Sequence, residues 1–187
     1  LLHIERNNIL TNKQHGFRKK KSTNTATVSF YEDLVRFVEA GECPVGIFCD
    51  LSRAFDCVNH DRLLFKLKSY GLNGTPLAWL QSFLTNRMQY VVVNHVTKKH
   101  QHHVHSDKIS INTGVPQGSI LDPVLYILYT NDLENAFDAK ITMYADDTAI
   151  ILSNKSNMLL EENGNIILET IENWFSLNCQ TGGRIKE

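Results

Sequence analysis

Two apolar, β-prone runs, Ile141-Thr142-Met143 and Thr148-Ala149-Ile150-Ile151-Leu152, flank the tetrapeptide Tyr144-Ala145-Asp146-Asp147. Short runs of this type broken by a polar pair predict a β-hairpin with the acids at its tip. Asp is ordinary turn chemistry, because it tolerates tight backbone and bonds its own main chain. Other stretches give the pair a second reading.

The run Val45-Gly46-Ile47-Phe48-Cys49 has strand length and ends abruptly in Asp50, before what reads as the entry to a helix, Leu51-Ser52-Arg53-Ala54-Phe55-Asp56. An Asp after a buried strand often caps the helix that follows. Two strands that both end in acid offer something else: Asp50 and Asp146, side by side, would hold divalent metal. Hard cations such as Mg²⁺ prefer carboxylate oxygens and leave room for substrate phosphates. Two ions about 3.5–4 Å apart clamp the attacking and leaving oxygens of an in-line phosphoryl transfer. That constellation suits nucleotidyl transfer.

Gln14-His15-Gly16-Phe17-Arg18-Lys19-Lys20-Lys21-Ser22-Thr23 holds the one dense basic run. Clustered Lys and Arg attract nucleic acid by displacing counterions, although such a run also serves as a solvated face. Ser22 or Thr23 caps a predicted helix through residue 40, with Val28, Phe30, Leu34, Val35 and Val38 as its apolar stripe and Gly41 as its stop. Further helices are expected from Asn59-His60-Asp61-Arg62 to Tyr70 and from Thr75-Pro76 to Leu84, with a strand at Gln89–Val93. His60 reads as a structural hydrogen-bonding residue. His95, His100, His102, His103 and His105 read as an exposed loop, because no acid or cysteine completes a metal site beside them. Gly114-Val115-Pro116-Gln117-Gly118-Ser119 is glycine-rich, which suits a turn or a close backbone approach to a ligand. A mostly apolar helix, Ile120–Asn131, should follow it, and another from Ser156 or Asn157 carries Trp174 and Phe175 with Gly164 interrupting.

Taken in order, four blocks resemble the reverse transcriptases of non-LTR (LINE-type) retrotransposons, most closely the jockey-like group. They are Gln14–Arg18 with Ser22-Thr23; Asp50–Asp56 with Val58-Asn59-His60-Asp61; Gly114–Ser119; and Tyr144–Asp147. The resemblance implies an α+β polymerase palm, an antiparallel sheet with helices packed on one face, plus part of the fingers. It implies that Asp50, Asp146 and Asp147 are catalytic and bind two Mg²⁺ ions, with Mn²⁺ as a substitute, and that the carbonyl of Leu51 completes a shell. By the same resemblance Phe55 gates against a ribose 2′-hydroxyl, and Gln117, Gly118, Tyr144 and Ala145 lie at the nucleotide. Arg18, Lys19, Lys20 and Lys21 would handle template. The implied partners are an RNA template, a DNA primer and dNTPs. Asp122 departs from the family, which usually has Gly there.

A viral RNA-dependent RNA polymerase would be expected to show a polar residue at position 55 and a Gly-Asp-Asp turn; Phe55 and Ala145 argue against it. A nucleic-acid-binding remnant without turnover is the alternative from another class. The 187 residues read as one domain, fingers and palm, with no thumb, primer grip or endonuclease, as a fragment would. The formal net charge of −1 excludes a global basic field, so nucleic-acid contacts must be local. The four cysteines form no Cys-x-x-Cys pair, which speaks against a zinc knuckle, and a reducing intracellular setting, with the nucleus implied by the family, is the expectation. No apolar run is long enough to span a membrane.

Overall fold

The computed structural model describes residues 2–50, 53–96 and 101–178. In chain order they form α1 (Leu2–Arg6), α2 (Thr23–Glu39), β1 (Cys43–Cys49), α3 (His60–Ser69) and α4 (Thr75–Leu84). Then come β2 (Arg87–Gln89), β3 (Val92–Val96), β4 (Gln101–His105), β5 (Ile109–Ile111) and α5 (Asp122–Tyr129). A 3₁₀ turn at Leu133–Asn135 leads to β6 (Lys140–Tyr144), β7 (Asp147–Asn154) and α6 (Asn157–Asn178).

The central sheet has the order β1-β7-β6, antiparallel throughout. Its two faces differ because side chains alternate along a strand. One face carries Ile141, Met143 and Ile150, all at most 2% exposed, together with Cys49 and Leu152. This face meets the core built by α5 and α6, where Leu125, Ile127, Leu128, Ile171 and Phe175 are buried. α6 runs through Gly164 without a break, and a Cβ there would make only an ordinary contact with Leu152 Cδ1 at 3.9 Å.

The α+β, palm-like class follows from this sheet and its helices. Helices also reach the second face, which the one-faced sequence picture did not include. Phe30 of α2 meets Phe48 with ring centroids 5.6 Å apart, and Phe48 and Gly46 alternate with the core-facing positions of β1. The boundaries of α2 are set locally. Ser22 Oγ accepts from Thr25 N–H, Thr25 Oγ1 accepts in turn from Ser22 N–H, and Gly41 at φ 70° ends the element. Its buried face follows the predicted stripe only in part: Phe30, Leu34 and Val35 are half-buried. Ala26 and Asp33 are buried, whereas Val28 and Val38 are each 56% exposed. The more buried side of α2 runs along Ala26, Phe30, Asp33 and Phe37, with Phe30 packed on Phe48 of β1.

α3 and α4 pack beside α5. Asn59 caps α3 through Arg62 N–H at 3.0 Å, and Pro76 occupies the first turn of α4. Lys66 is buried: its ammonium donates to Asp132 and to the Tyr129 carbonyl, each at 2.7 Å, and lies over the Trp174 ring at 4.6 Å. That cation ties α3 to the end of α5 and to α6. The histidine-rich stretch is not a loop: β3 and β4 form a hairpin in which His95 pairs with His102 and Asn94 with His103. β-branched valines favour the ribbon, which builds no core of its own: Val92, Val93 and Val104 stay exposed. His103 Nδ1 and Asn94 Oδ1 lie 2.6 Å apart across it. His100 lies outside the described residues, as does the segment from Cys179 onward.

Candidate active site

The hairpin forms where the sequence predicts it, but only Asp146 sits in the turn; Asp147 opens β7 and so takes the place beside Asp50 that the sequence reading gave to Asp146. β6 and β7 pair through Tyr144↔Asp147, leaving Ala145-Asp146 as a two-residue turn. Ala145 has φ 57°, the positive value that such tight hairpin turns require at a central position. On the other side of β7, β1 runs to Cys49↔Thr148. Carried one residue further, that register sets Asp50 beside Asp147. Asp50 and Asp147 thus share the sheet face opposite the core, and Asp146 occupies the turn between strands.

The electrostatics agree with this placement. The Asp147 carboxyl is held above its ordinary value by partial burial first, then by the charges of Asp146 and Asp50. Carboxylates gathered closely enough for their charges to act on Asp147 form an anionic cluster that a cation relieves. Hard carboxylate oxygens are also the donors Mg²⁺ prefers, so the residue types fit a divalent ion. Among the described residues no set of three His, Cys, Asp or Glu side chains is arranged to hold one metal ion. The carbonyl of Leu51 lies outside the described residues.

A cavity of about 410 Å³ opens beside the acids, lined by Phe30, Phe48, Asp50, Tyr144, Asp147 and Thr148 among others. Phe55 is half-buried, its ring stacked on Tyr126 at 4.5 Å between centroids, so it packs against the core while standing near the end of β1. The loop that carries Phe55 is fastened to the glycine-rich loop. Gly114 N–H donates to Val58 O at 2.7 Å, Val115 N–H to Phe55 O at 3.0 Å, and His60 Nε2 lies 2.7 Å from Gly114 O. His60 is therefore the structural hydrogen-bonding residue expected. Gly114 is required by both conformation and space: φ is 86°, and a Cβ would fall 3.0 Å from Asp56 Cα. Gln117 is exposed, with Nε2 donating to Asp56 Oδ1 at 2.8 Å, and Gly118 has φ 90° with open space around it. A second cavity, of about 610 Å³, lies between this loop and the β2–β5 ribbon, with Asp56, Arg87 and Gln117 on its wall.

Asp122, the departure from the family pattern, is buried and accepts from Ser119 N–H at 2.8 Å and from the Ser119 hydroxyl. Ser119 Oγ in turn accepts from Asp122 N–H at 3.2 Å. This reciprocal cap joins the glycine-rich loop rigidly to α5.

The basic run divides. Arg18 points inward, its side chain 9% exposed, donating to Thr11 O at 2.5 Å and pairing with Glu5 at 3.3 Å. Lys21 donates to the Asn12 carbonyl, and its pKa is lowered by burial first and then by Arg18. Lys19 and Lys20 remain exposed. Sequence alone attached no role to Gln14, Asp56 or Arg87. Gln14 is 1% exposed and bonds both backbone groups of Ala145.

Residues 1–178 match the family model described as reverse transcriptase (RNA-dependent DNA polymerase). The chain is 30% identical over 174 residues to the RNA-directed DNA polymerase from mobile element jockey of Drosophila melanogaster, a match covering 86% of this chain and 18% of that protein. It is 32% identical over 159 residues to the probable RNA-directed DNA polymerase from transposon BS of the same species, covering 78% and 16%. Among solved structures, telomerase from Candida albicans in complex with a telomeric RNA fragment superposes with a TM-score of 0.51 at 12% identity, over 90% of this chain and 31% of that one, a likeness of fold. The chain thus spans less than a fifth of the length of these two curated relatives. With the matched family model, the paired acidic strand ends and the jockey-like relatives in agreement, the chain belongs to the reverse transcriptase (RNA-dependent DNA polymerase) family.

Proposed function

We propose that this chain carries the polymerising centre of an RNA-directed DNA polymerase that extends a DNA primer on an RNA template. The observation that carries this reading is the register of β1, β7 and β6, which sets Asp50, Asp147 and the Asp146 turn side by side. In the reaction, the primer 3′-hydroxyl oxygen bonds to the α-phosphorus of a dNTP, and the bond to pyrophosphate breaks. Asp50, Asp146 and Asp147 would hold the Mg²⁺ ions, two in this proposal, whose positive charge acidifies the hydroxyl and offsets charge on the leaving pyrophosphate.

The remaining groups orient. Phe55, braced by Tyr126, presents a ring edge that leaves a ribose 2′-hydroxyl neither space nor a hydrogen-bond partner. Gln117 and Gly118 border the nucleotide from the glycine-rich loop, with Tyr144 and Ala145 below it. Lys19 and Lys20 offer exposed charge to the template backbone, while Arg18 and Lys21 act through the loop they hold together. A nuclear location is part of this proposal through the family alone.

The test is primer extension with Mg²⁺ on an RNA template, comparing the chain with Asp146→Asn. Extension that disappears in the variant supports the reading. Equal extension by both would refute it. Because positioning and electrostatics supply most of the catalysis in phosphoryl transfer, the same pair should also be compared inside a chain of the relatives' length, where extension is expected to be stronger.

A further inference from the structure

The carboxylates at the hairpin tip can be placed only as well as the backbone beneath them. Ala145 immediately precedes them with a positive φ of 57°, a conformation that L-residues other than Asn and Asp rarely hold without support. The support comes from a segment 131 residues earlier in the chain. Gln14 forms a parallel bridge with Met143, flanked by His15 N–H to Met143 O at 2.7 Å and Met143 N–H to Lys13 O at 2.9 Å. From there its buried side chain reaches around the turn. Oε1 accepts from Ala145 N–H at 3.0 Å and from Gly16 N–H at 2.7 Å, while Nε2 donates to Ala145 O at 3.2 Å.

A primary amide is suited to this site because it offers an acceptor to the N–H and a donor to the C=O of the same residue, Ala145. A carboxylate would present a lone pair to the Ala145 carbonyl, and an aliphatic chain would take the side-chain partner from three backbone groups, Ala145 N–H, Ala145 O and Gly16 N–H. Gly16 completes the contact: a Cβ there would lie 2.3 Å from Ala145 N and 2.9 Å from its Cα. The loop therefore seats against the turn at backbone distance.

We infer that Gln14 is a positioning residue for the metal-carrying turn, its amide fixing Ala145 in the conformation from which Asp146 and Asp147 project. The inference rests on the polymerase reading of those carboxylates, and its test separates the two. Gln14→Leu and the volume-matched Gln14→Glu are compared with the parent chain and with Ile167→Val, a core change in α6 remote from the turn. Three quantities are read: amide hydrogen exchange at Ala145 and at Ile150, Mn²⁺ affinity by electron paramagnetic resonance, and kcat and KM for primer–template.

In both Gln14 variants the Ala145 amide should lose protection while Ile150, in mid-strand, keeps it. Mn²⁺ affinity should fall about tenfold and kcat by about tenfold to a hundredfold, the scale seen when a group supporting metal ligands is removed, with KM for primer–template unchanged. Ile167→Val should move none of these. Unchanged Ala145 protection, or unchanged Mn²⁺ affinity and kcat despite its loss, overturns the inference. A parent that binds Mn²⁺ yet extends no primer defeats the polymerase reading alone, and the Mn²⁺ shift then decides the role of Gln14.

Discussion

The Asp56 carboxylate accepts a 2.8 Å hydrogen bond from the side-chain amide of Gln117, across 61 residues of sequence. This bond joins the loop after β1 to the glycine-rich loop on the solvent side, just as Gly114 N–H to Val58 O joins them beneath. Gln117 is thereby tethered to the loop after β1. Asp56→Ala should lower kcat/KM for dNTP up to about tenfold, the worth of one ordinary hydrogen bond, and leave primer–template KM unchanged. Single-nucleotide incorporation over a range of dNTP concentrations measures it. An unaltered dNTP dependence would mean that the bond does not set the position of Gln117.

Gly114→Ala should be much more damaging than its size suggests. The substitution places a methyl 3.0 Å from the Asp56 backbone at a φ of 86°. The conformational cost alone is about 1–2 kcal/mol, and the backbone contact adds to it. Urea unfolding of the variant should show a lower midpoint at an unchanged slope. The control is Gly71→Ala, where φ is also positive, at 88°, but nothing lies within 4 Å of the added carbon, so it should cost less.

Asp147 couples stability to pH. Its folded pKa is raised, by burial first and then by Asp146 and Asp50. The native state therefore holds this proton to higher pH than the unfolded chain does. The associated stability is full below the ordinary carboxylate pKa, about 3.9, and is lost as pH rises through the folded value. Asp147→Asn should accordingly raise Tm at neutral pH, and the advantage should vanish in acid. Thermal melts of both proteins across that range provide the check; a Tm lowered by the substitution at pH 7 would contradict the repulsion.

The same repulsion predicts a response to metal. At Mg²⁺ about tenfold above Kd the parent chain should gain about 1.4 kcal/mol, which for a domain of this size is a rise of about 3–5 °C in Tm. Asp146→Asn should lose most of that rise, and chelation by EDTA should return the parent to its starting value. Equal shifts in parent and variant would place the binding elsewhere.

Phe55 has two demands on it, and they are separable. Its stacking on Tyr126 makes Phe55→Ala cost about 2 kcal/mol, below the full core value because the ring is half-buried. Its position after β1 predicts that Phe55→Val raises ribonucleotide incorporation relative to deoxyribonucleotide. Competition between rNTP and dNTP on one template measures the ratio. Lost stability with unchanged discrimination would leave Phe55 as packing alone.

Local chemistry made much of this protein legible from its residues. The Ser22 cap and Gly41 bound α2, Asn59 begins α3, Pro76 opens α4, and the apolar runs around Tyr144–Asp147 become β6 and β7. Each depends on neighbours a few positions away, so the linear order suffices. The acidic strand ends were legible for the same reason, since an apolar run that stops at Asp50 or turns at Asp146 is a local pattern.

Tertiary structure decided what depends on distant partners. Periodicity showed that α2 has apolar positions but not which side would be the more buried: Ala26 is buried, whereas Val28 and Val38 are exposed. Composition gave Arg18 and Lys21 a phosphate-binding character; Glu5 and the carbonyls of Thr11 and Asn12 drew them inward. Gln14 carried no sign of its role, because a glutamine's function in a loop is set by what its amide reaches, and Ala145 comes within reach only after the sheet has formed.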